Sequence, residues 1–494
     1  MTAASHLKTL LAESRLMNRM LNPAGRNMPC PGPLSRRSLL SAGAAAFTGL
    51  GMADLLRLQA QAGDSFQNGK SNDPAVIFVW LPGGPPHMET FDMKPDAPED
   101  YRGIFRPINT NVSGIQICEH LPLLAKLADK YTLIRSIAHG FADHGGGHKR
   151  FMTGRDPKEP TGFVNDYPAV GSMVAKMQER RNVGVPNYAL LVDSGRANID
   201  TFSLGAAYLG PAYGPFTVGG DPSEPEFKVQ NLGLAKEMEE RLDDRATLLG
   251  GLDKLRRGID KSGALDAMDK FNQRAVDLLT SEKARAAFDL TQEDPKLREK
   301  YGDHPWGQRA IMARRLVEAG VSFVTVVMEN PFCKQVPWIK NGVYNWDSHA
   351  VNCHLFDDAL VRLPVFDRTI AAMIEDIYAR GLDKRVMVVV TGEFGRTPRI
   401  TNQIGTQTGI MQPGRDHWPG AMSVLAFGGG MRTGQVVGAT NSKGEYPSDR
   451  PLTPNDLWAT VFQHLGINTH HAFPDLSGRP MPILPFGEPI RELA

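Results

Sequence analysis

The sequence is poor in cysteine, with four in 494 residues, which excludes a disulfide scaffold. It has no excess of charge of either sign: 55 Lys and Arg stand against 54 Asp and Glu, for a formal net charge of +1. That balance gives no general field for drawing in nucleic acid or an anionic membrane, though it leaves room for a local basic pocket. The weakly apolar stretch at 38–53 has 16 residues, short of the roughly 20 that span a bilayer, so no transmembrane span is expected in the mature form. Internal repeats, low-complexity tracts, a dinucleotide fingerprint and cysteine-cluster motifs are missing too, which places a redox protein well down the order. What remains is the composition of a folded α/β protein, 41% hydrophobic and 22% charged with 50 Gly and 36 Pro. Chains of this length often form one large α/β domain.

Before the folded part comes an address. Ser35-Arg36-Arg37-Ser38 opens the apolar stretch, and Ala60-Gln61-Ala62 offers a small-residue cleavage site ahead of Gly63. Paired arginines before a weakly hydrophobic Ala/Gly segment read as a twin-arginine export signal over 1–62. The mature domain is then 63–494, and the expected location is periplasmic or otherwise exported. Cys118, Cys333 and Cys353 follow the signal; the odd number leaves at least one thiol unpaired in an exported protein. A Cys333–Cys353 disulfide is compatible with the sequence but not required by it.

Continuous apolar runs at 75–81, 132–137, 188–192, 322–327, 386–391 and 422–427 predict strands buried on both faces. Helical patterns lie between them, for example at 310–319, with Gly320 as a stop, and at 360–380. Strands alternating with helices predict a largely parallel sheet covered on both sides, with ligands at the carboxyl ends of the strands. A charged stretch near 232–285 predicts a helical excursion, and 405–414 reads as a loop. The Pro-rich tail from 473 reads as a surface wrap.

Four segments could carry chemistry. After the first strand, Gly83-Gly84 permits close approach of a ligand or a neighbouring segment, with His87, Glu89 and Asp92 behind it; a plain Gly/Pro turn explains the same residues. His139, His144 and His148 surround a Gly triplet after the second strand, a pattern suited to metal or anion binding. Asp347-Ser348-His349 places a carboxylate and an imidazole together on an extended segment, or Asp347 caps the helix that follows. Past the fifth strand come Glu393, Arg396, Arg415, Asp416 and His417, on two successive loops at one sheet edge. Together they favour a site over isolated structural salt bridges.

The twin-arginine leader, GGPPHMETFDMKP, NWDSHAVN, VTGEFGRTPRI and GRDHWPGAMSVLAFGGG together resemble the DUF1501 family, over nearly all the mature chain. The resemblance implies an alkaline phosphatase-like α/β/α sandwich, related to sulfatases and phosphatases, and a divalent metal ion (Zn, Ca, Mg or Mn). It implies metal ligands at Asp347, His349, Glu393 and His417, to which the neighbouring Asp416 adds a further candidate. Glu393-Phe394 stands where that superfamily has Asp-His, Gly83-Gly84 replaces its first acidic ligand, and only Ser136 and Thr153 offer themselves as nucleophiles.

The leading expectation is a metal-assisted hydrolase of sulfate or phosphate esters, on a small molecule or a glycan. In it Arg396 or Arg415 offsets the anionic charge, and His144 or His148 acts as acid, base or further ligand. The alternative is a noncatalytic periplasmic binding or assembly protein that has lost the full metal cage, with a partner that the sequence does not identify.

Overall fold

The computed structural model describes residues 73–179, 184–193, 197–229 and 281–494. The export signal over 1–62 and all but the end of the helical excursion near 232–285 lie outside them. The end of that excursion is a short helix, Glu282–Phe288, capped by Ser281.

Eight strands form the central sheet: β1 (Ala75–Trp80), β2 (Thr132–Ile137), β3 (Tyr188–Val192), β4 (Phe216–Gly219), β5 (Phe323–Val327), β6 (Val386–Thr391), β7 (Met422–Gly428) and β8 (Gln435–Val437). Their order is β8-β2-β7-β6-β1-β5-β3-β4. All neighbours are parallel except β7, which runs antiparallel to both β2 and β6. The six strands expected from apolar runs are present. Edge strands β4 and β8 escape such a reading because both are short and β4 is mostly polar or exposed.

Alternation along β1 builds the two cores. Ile77 and Val79 join one, with Ala310, Leu316, Ile370 and Ile374. Val76, Phe78 and Trp80 join the other, with Phe151, Val174 and Trp458. The first is covered by α3 (Pro305–Glu318) and α4 (Leu355–Ala379); the second by α1 (His144–Thr153), α2 (Val170–Met177) and α5 (Pro454–His464). A strand covered on both faces has no polar side, which is why β1 and β6 read as unbroken apolar runs. The fold is therefore a three-layer α/β/α sandwich with a largely parallel sheet. Among the described residues no helix is long and apolar enough to cross a membrane.

Three expectations need correction. Helices α3 and α4 each begin five residues earlier than their apolar patterns suggest, because His304 and His354 cap them through Nδ1. The loop at 405–414 ends in a strand, Met411–Gly414, paired with Thr401–Ile404. The tail from 473 does more than wrap the surface, since Ile483, Leu484, Ile490 and Leu493 are buried in the second core. Cys118, Cys333 and Cys353 are all free thiols.

Candidate metal centre

The carboxyl ends of β1, β2, β5 and β6 open onto one edge, and the antiparallel β7 starts there. Each connection at that edge contributes a side chain. The segment after β2 runs into α1, where Asp143 caps the helix by accepting from the Gly145 N–H. His144 and His148 then sit four residues apart, on one helical face. The glycine triplet between them admits close neighbours: a Cβ on Gly145 would lie 2.5 Å from the Gly162 carbonyl oxygen, and one on Gly147 would lie 2.9 Å from the Phe394 ring. Sequence reasoning treats this stretch as a loop because Gly is a poor helix former; the i, i+4 histidine pair behind an Asp cap is the signal that marks it as helix.

Gly83 and Gly84 after β1 serve the approach of neighbouring chain. Gly83 has φ +104, and a Cβ there would meet the Asp347 nitrogen at 2.5 Å. Its N–H donates to Glu393 Oε1 at 2.9 Å. His87, Glu89 and Asp92 behind them take structural partners. His87 Nε2 donates to the Gly444 carbonyl, Glu89 pairs with Arg415 at 2.6 Å, and Asp92 pairs with Lys94 at 2.9 Å.

The remaining groups converge. Glu393 Oε1 lies 2.8 Å from His144 Nδ1 and 3.2 Å from His148 Nε2. Asp347 Oδ1 lies 3.4 Å from His144 Nε2, and 3.0 Å from both His349 Nε2 and His417 Nε2. His144, His148 and Glu393 form one set of donor atoms close enough to share an ion; His144, Asp347 and His417 form a second. His144 belongs to both. Phe394 walls the cluster, its ring centroid 5.5 Å from that of His144 and 4.5 Å from that of His417.

Whether these residues suit a cation is decided by the far side of two rings. His349 Nδ1 is 2.7 Å from Asp416 Oδ1, and His417 Nδ1 is 2.6 Å from the Ala142 carbonyl oxygen. Both oxygens can only accept, so both Nδ1 atoms carry the hydrogen and, in the neutral rings, both Nε2 atoms present lone pairs. Those two Nε2 atoms are 2.9 Å apart and face the same carboxylate oxygen. Lone pairs held at that distance repel unless a proton or a metal ion lies between them. Burial lowers the pKa of His417, and Arg396 adds to that effect against Asp347, so an extra proton on this ring is disfavoured. The donor set, imidazoles and carboxylates with a carboxylate behind one histidine, fits a divalent ion.

Electrostatics favour the charged carboxylates. Burial opposes ionisation of Asp347, but the Arg396 guanidinium at 2.7 Å and the three histidines outweigh it and hold the carboxyl well below the usual range. Glu393 is likewise buried, yet His148 and His144 hold its pKa down. For His144 burial is overcome by Asp347 and Glu393, which raise its pKa to about 9. His139, 2.6 Å from the Glu393 carbonyl oxygen, accepts from the Phe141 N–H and so donates through Nε2. Burial keeps it neutral, its pKa pushed down to about 4.

The two arginines depart from their expected role. Arg415 gives both terminal nitrogens and Nε to Glu89 and to the carbonyls of Thr397, Pro398 and Tyr101. Its donors are spent, and it is a buried structural ion pair rather than an anion holder. Arg396 is equally buried; it donates to the carbonyls of Gly83, Gly84, Trp346 and Arg415 and to Asp347, so it orients a carboxylate. Asp416 stands behind His349 and makes no contact with the other donors. Asp347 does not cap α4. The expected nucleophile candidates are elsewhere: Thr153 donates to the Lys149 carbonyl within α1, and Ser136 is buried against Gly438. A Ser hydroxyl that does touch the cluster's side chains is Ser203, 3.5 Å from His148 Nδ1 and fully buried.

The family model DUF1501, described as a protein of unknown function, matches residues 73–494. No curated protein matches the sequence. Among solved structures the chain is similar to a phosphonate monoester hydrolase from Silicibacter pomeroyi, at 12% identity over 82% of this chain and 75% of that one, with a TM-score of 0.36. It is similar to the PsFucS1 sulfatase from Pseudoalteromonas sp., at 13% identity over 91% and 75%, with a TM-score of 0.34. It is also similar to the alkaline phosphatase from the Antarctic bacterium TAB5, at 10% identity over 80% and 99%, with a TM-score of 0.33. Likenesses at this level assign no activity to this chain.

Proposed function

The chain belongs to the DUF1501 family, and from its own side chains we propose that it is an exported, metal-assisted hydrolase of sulfate or phosphate esters. The observation that carries the proposal is the facing pair of Nε2 lone pairs on His349 and His417, 2.9 Å apart over Asp347. Asp347, His349 and His417 would hold a divalent ion, with His144, His148 and Glu393 as a second donor set. A bound ion supplies Lewis-acid polarisation of the ester and makes a nearby water more acidic. Arg396 keeps Asp347 ionised and aimed, and Asp416 fixes the tautomer of His349. Ser203 lies buried behind His148, so the attacking oxygen comes from water. His144, partly exposed between the two carboxylates that raise its pKa to about 9, is placed to give a proton to the leaving oxygen. Export rests on the Arg36-Arg37 leader.

The experiment is hydrolysis of 4-nitrophenyl sulfate, phosphate and bis-phosphate by protein loaded with Zn, Mg, Mn or Ca, beside His417→Ala. Turnover of one ester class that disappears in the variant supports the proposal. A protein that binds metal but turns over none of these or a panel of sulfated and phosphorylated sugars contradicts it. That result would favour the noncatalytic binding reading, which has its own support in Arg396 and Arg415: neither guanidinium is left free to hold an anion.

A further inference from the structure

Six buried arginines each face a carboxylate within 3.3 Å: Arg150, Arg309, Arg314, Arg362, Arg396 and Arg415. Arg155 breaks that pattern. It is 9% exposed, donates to the Pro482 carbonyl, and its Nε has no partner. Its guanidinium lies 5.3 Å from the Tyr167 ring centroid, and the exposed Lys158 amine lies 5.7 Å from the same ring. Among the described residues no carboxylate acts on Arg155; Tyr208, Tyr167 and the like-charged Arg479 do. A buried guanidinium with no carboxylate beside it keeps a place for an anion.

Arg155 follows Gly154, the left-handed residue that ends α1. At about 1.5 Å per residue it lies roughly 15 Å along the helix from His144. That separation is too long for one ester group and suits a second charge on an extended molecule. We propose that Arg155, with Lys158 and Tyr167, forms an anion subsite that takes a further sulfate, phosphate or carboxylate group of a polyanionic substrate. The subsite stands on Arg155 alone; that its ligand is the substrate rests on the hydrolase reading above.

The test is calorimetric binding of dextran sulfate, unsulfated dextran and inorganic sulfate to protein purified without chelators, its metal content measured alongside. The wild type is expected to bind dextran sulfate and not dextran. Arg155→Gln, which keeps much of the volume, should weaken that binding about tenfold or more, and Lys158→Glu several-fold. Neither change should alter metal content, so failure of the metal site and failure of this subsite read out separately. A folded Arg155→Gln protein with wild-type affinity overturns the subsite; if that variant does not fold, unchanged affinity in the surface variant Lys158→Glu does so. Inorganic sulfate binding as tightly as the polymer would overturn the polyanionic substrate.

Discussion

The loop after β1 and the loops around β6 and β7 carry much the same chemistry in sequence: His87, Glu89 and Asp92 in one, Glu393, Asp416 and His417 in the other. Folding treats them in opposite ways. In the first, unlike meets unlike: imidazole donates to carbonyl, and carboxylate meets guanidinium and ammonium. In the second, two imidazole nitrogens that need the same partner face each other over one oxygen of Asp347. A polar cluster whose charges are paired off is structure. One that turns two acceptors toward each other is arranged for something added between them.

Each loop can be made to betray this difference. Arg415→Met should have the largest effect on stability, since it leaves Glu89 buried and unpaired: about 3–5 kcal/mol lost in a denaturant titration. The folded fraction should keep its metal. Next comes pH. Burial holds the His87 pKa down to about 4 although Asp92 pulls it up. The unfolded chain therefore binds a proton there that the folded chain does not, between about pH 4 and 6.5. This contribution is fully present above that window and is lost as pH falls through it, by up to roughly 3 kcal/mol. His87→Gln should flatten the wild-type stability curve across that range; an unchanged slope would place the effect elsewhere. The smallest effect belongs to Asp416→Asn. Its side chain is 43% exposed and acts only through His349. Metal affinity should fall about 10- to 100-fold with stability nearly unchanged, as read by competition with a chelator.

Much of the fold is legible in the sequence because a strand covered on both faces leaves an unbroken apolar run. Thr132–Ile137, Tyr188–Val192 and Val386–Thr391 match such runs end to end. Helix starts are harder: histidine is not a favoured cap, so His304 and His354 hide the first turns of α3 and α4. At the site, residue types and loop positions can be read, but not how many hydrogen bonds a guanidinium has already made. Arg396 and Arg415 look alike in sequence to any anion-holding arginine; only the carboxylate each already holds separates them from Arg155. The histidine pair on α1 is concealed by the glycines that make its close packing possible.

The central claim is that Asp347, His349 and His417 are arranged around a cation. Metal per chain, measured by elemental mass spectrometry on protein purified without chelators, tests it most directly, with His417→Ala as the control. The account predicts one or two equivalents of a divalent metal, falling in the variant while its circular dichroism is unchanged. A folded wild type that holds no metal even after incubation with divalent ions would contradict it.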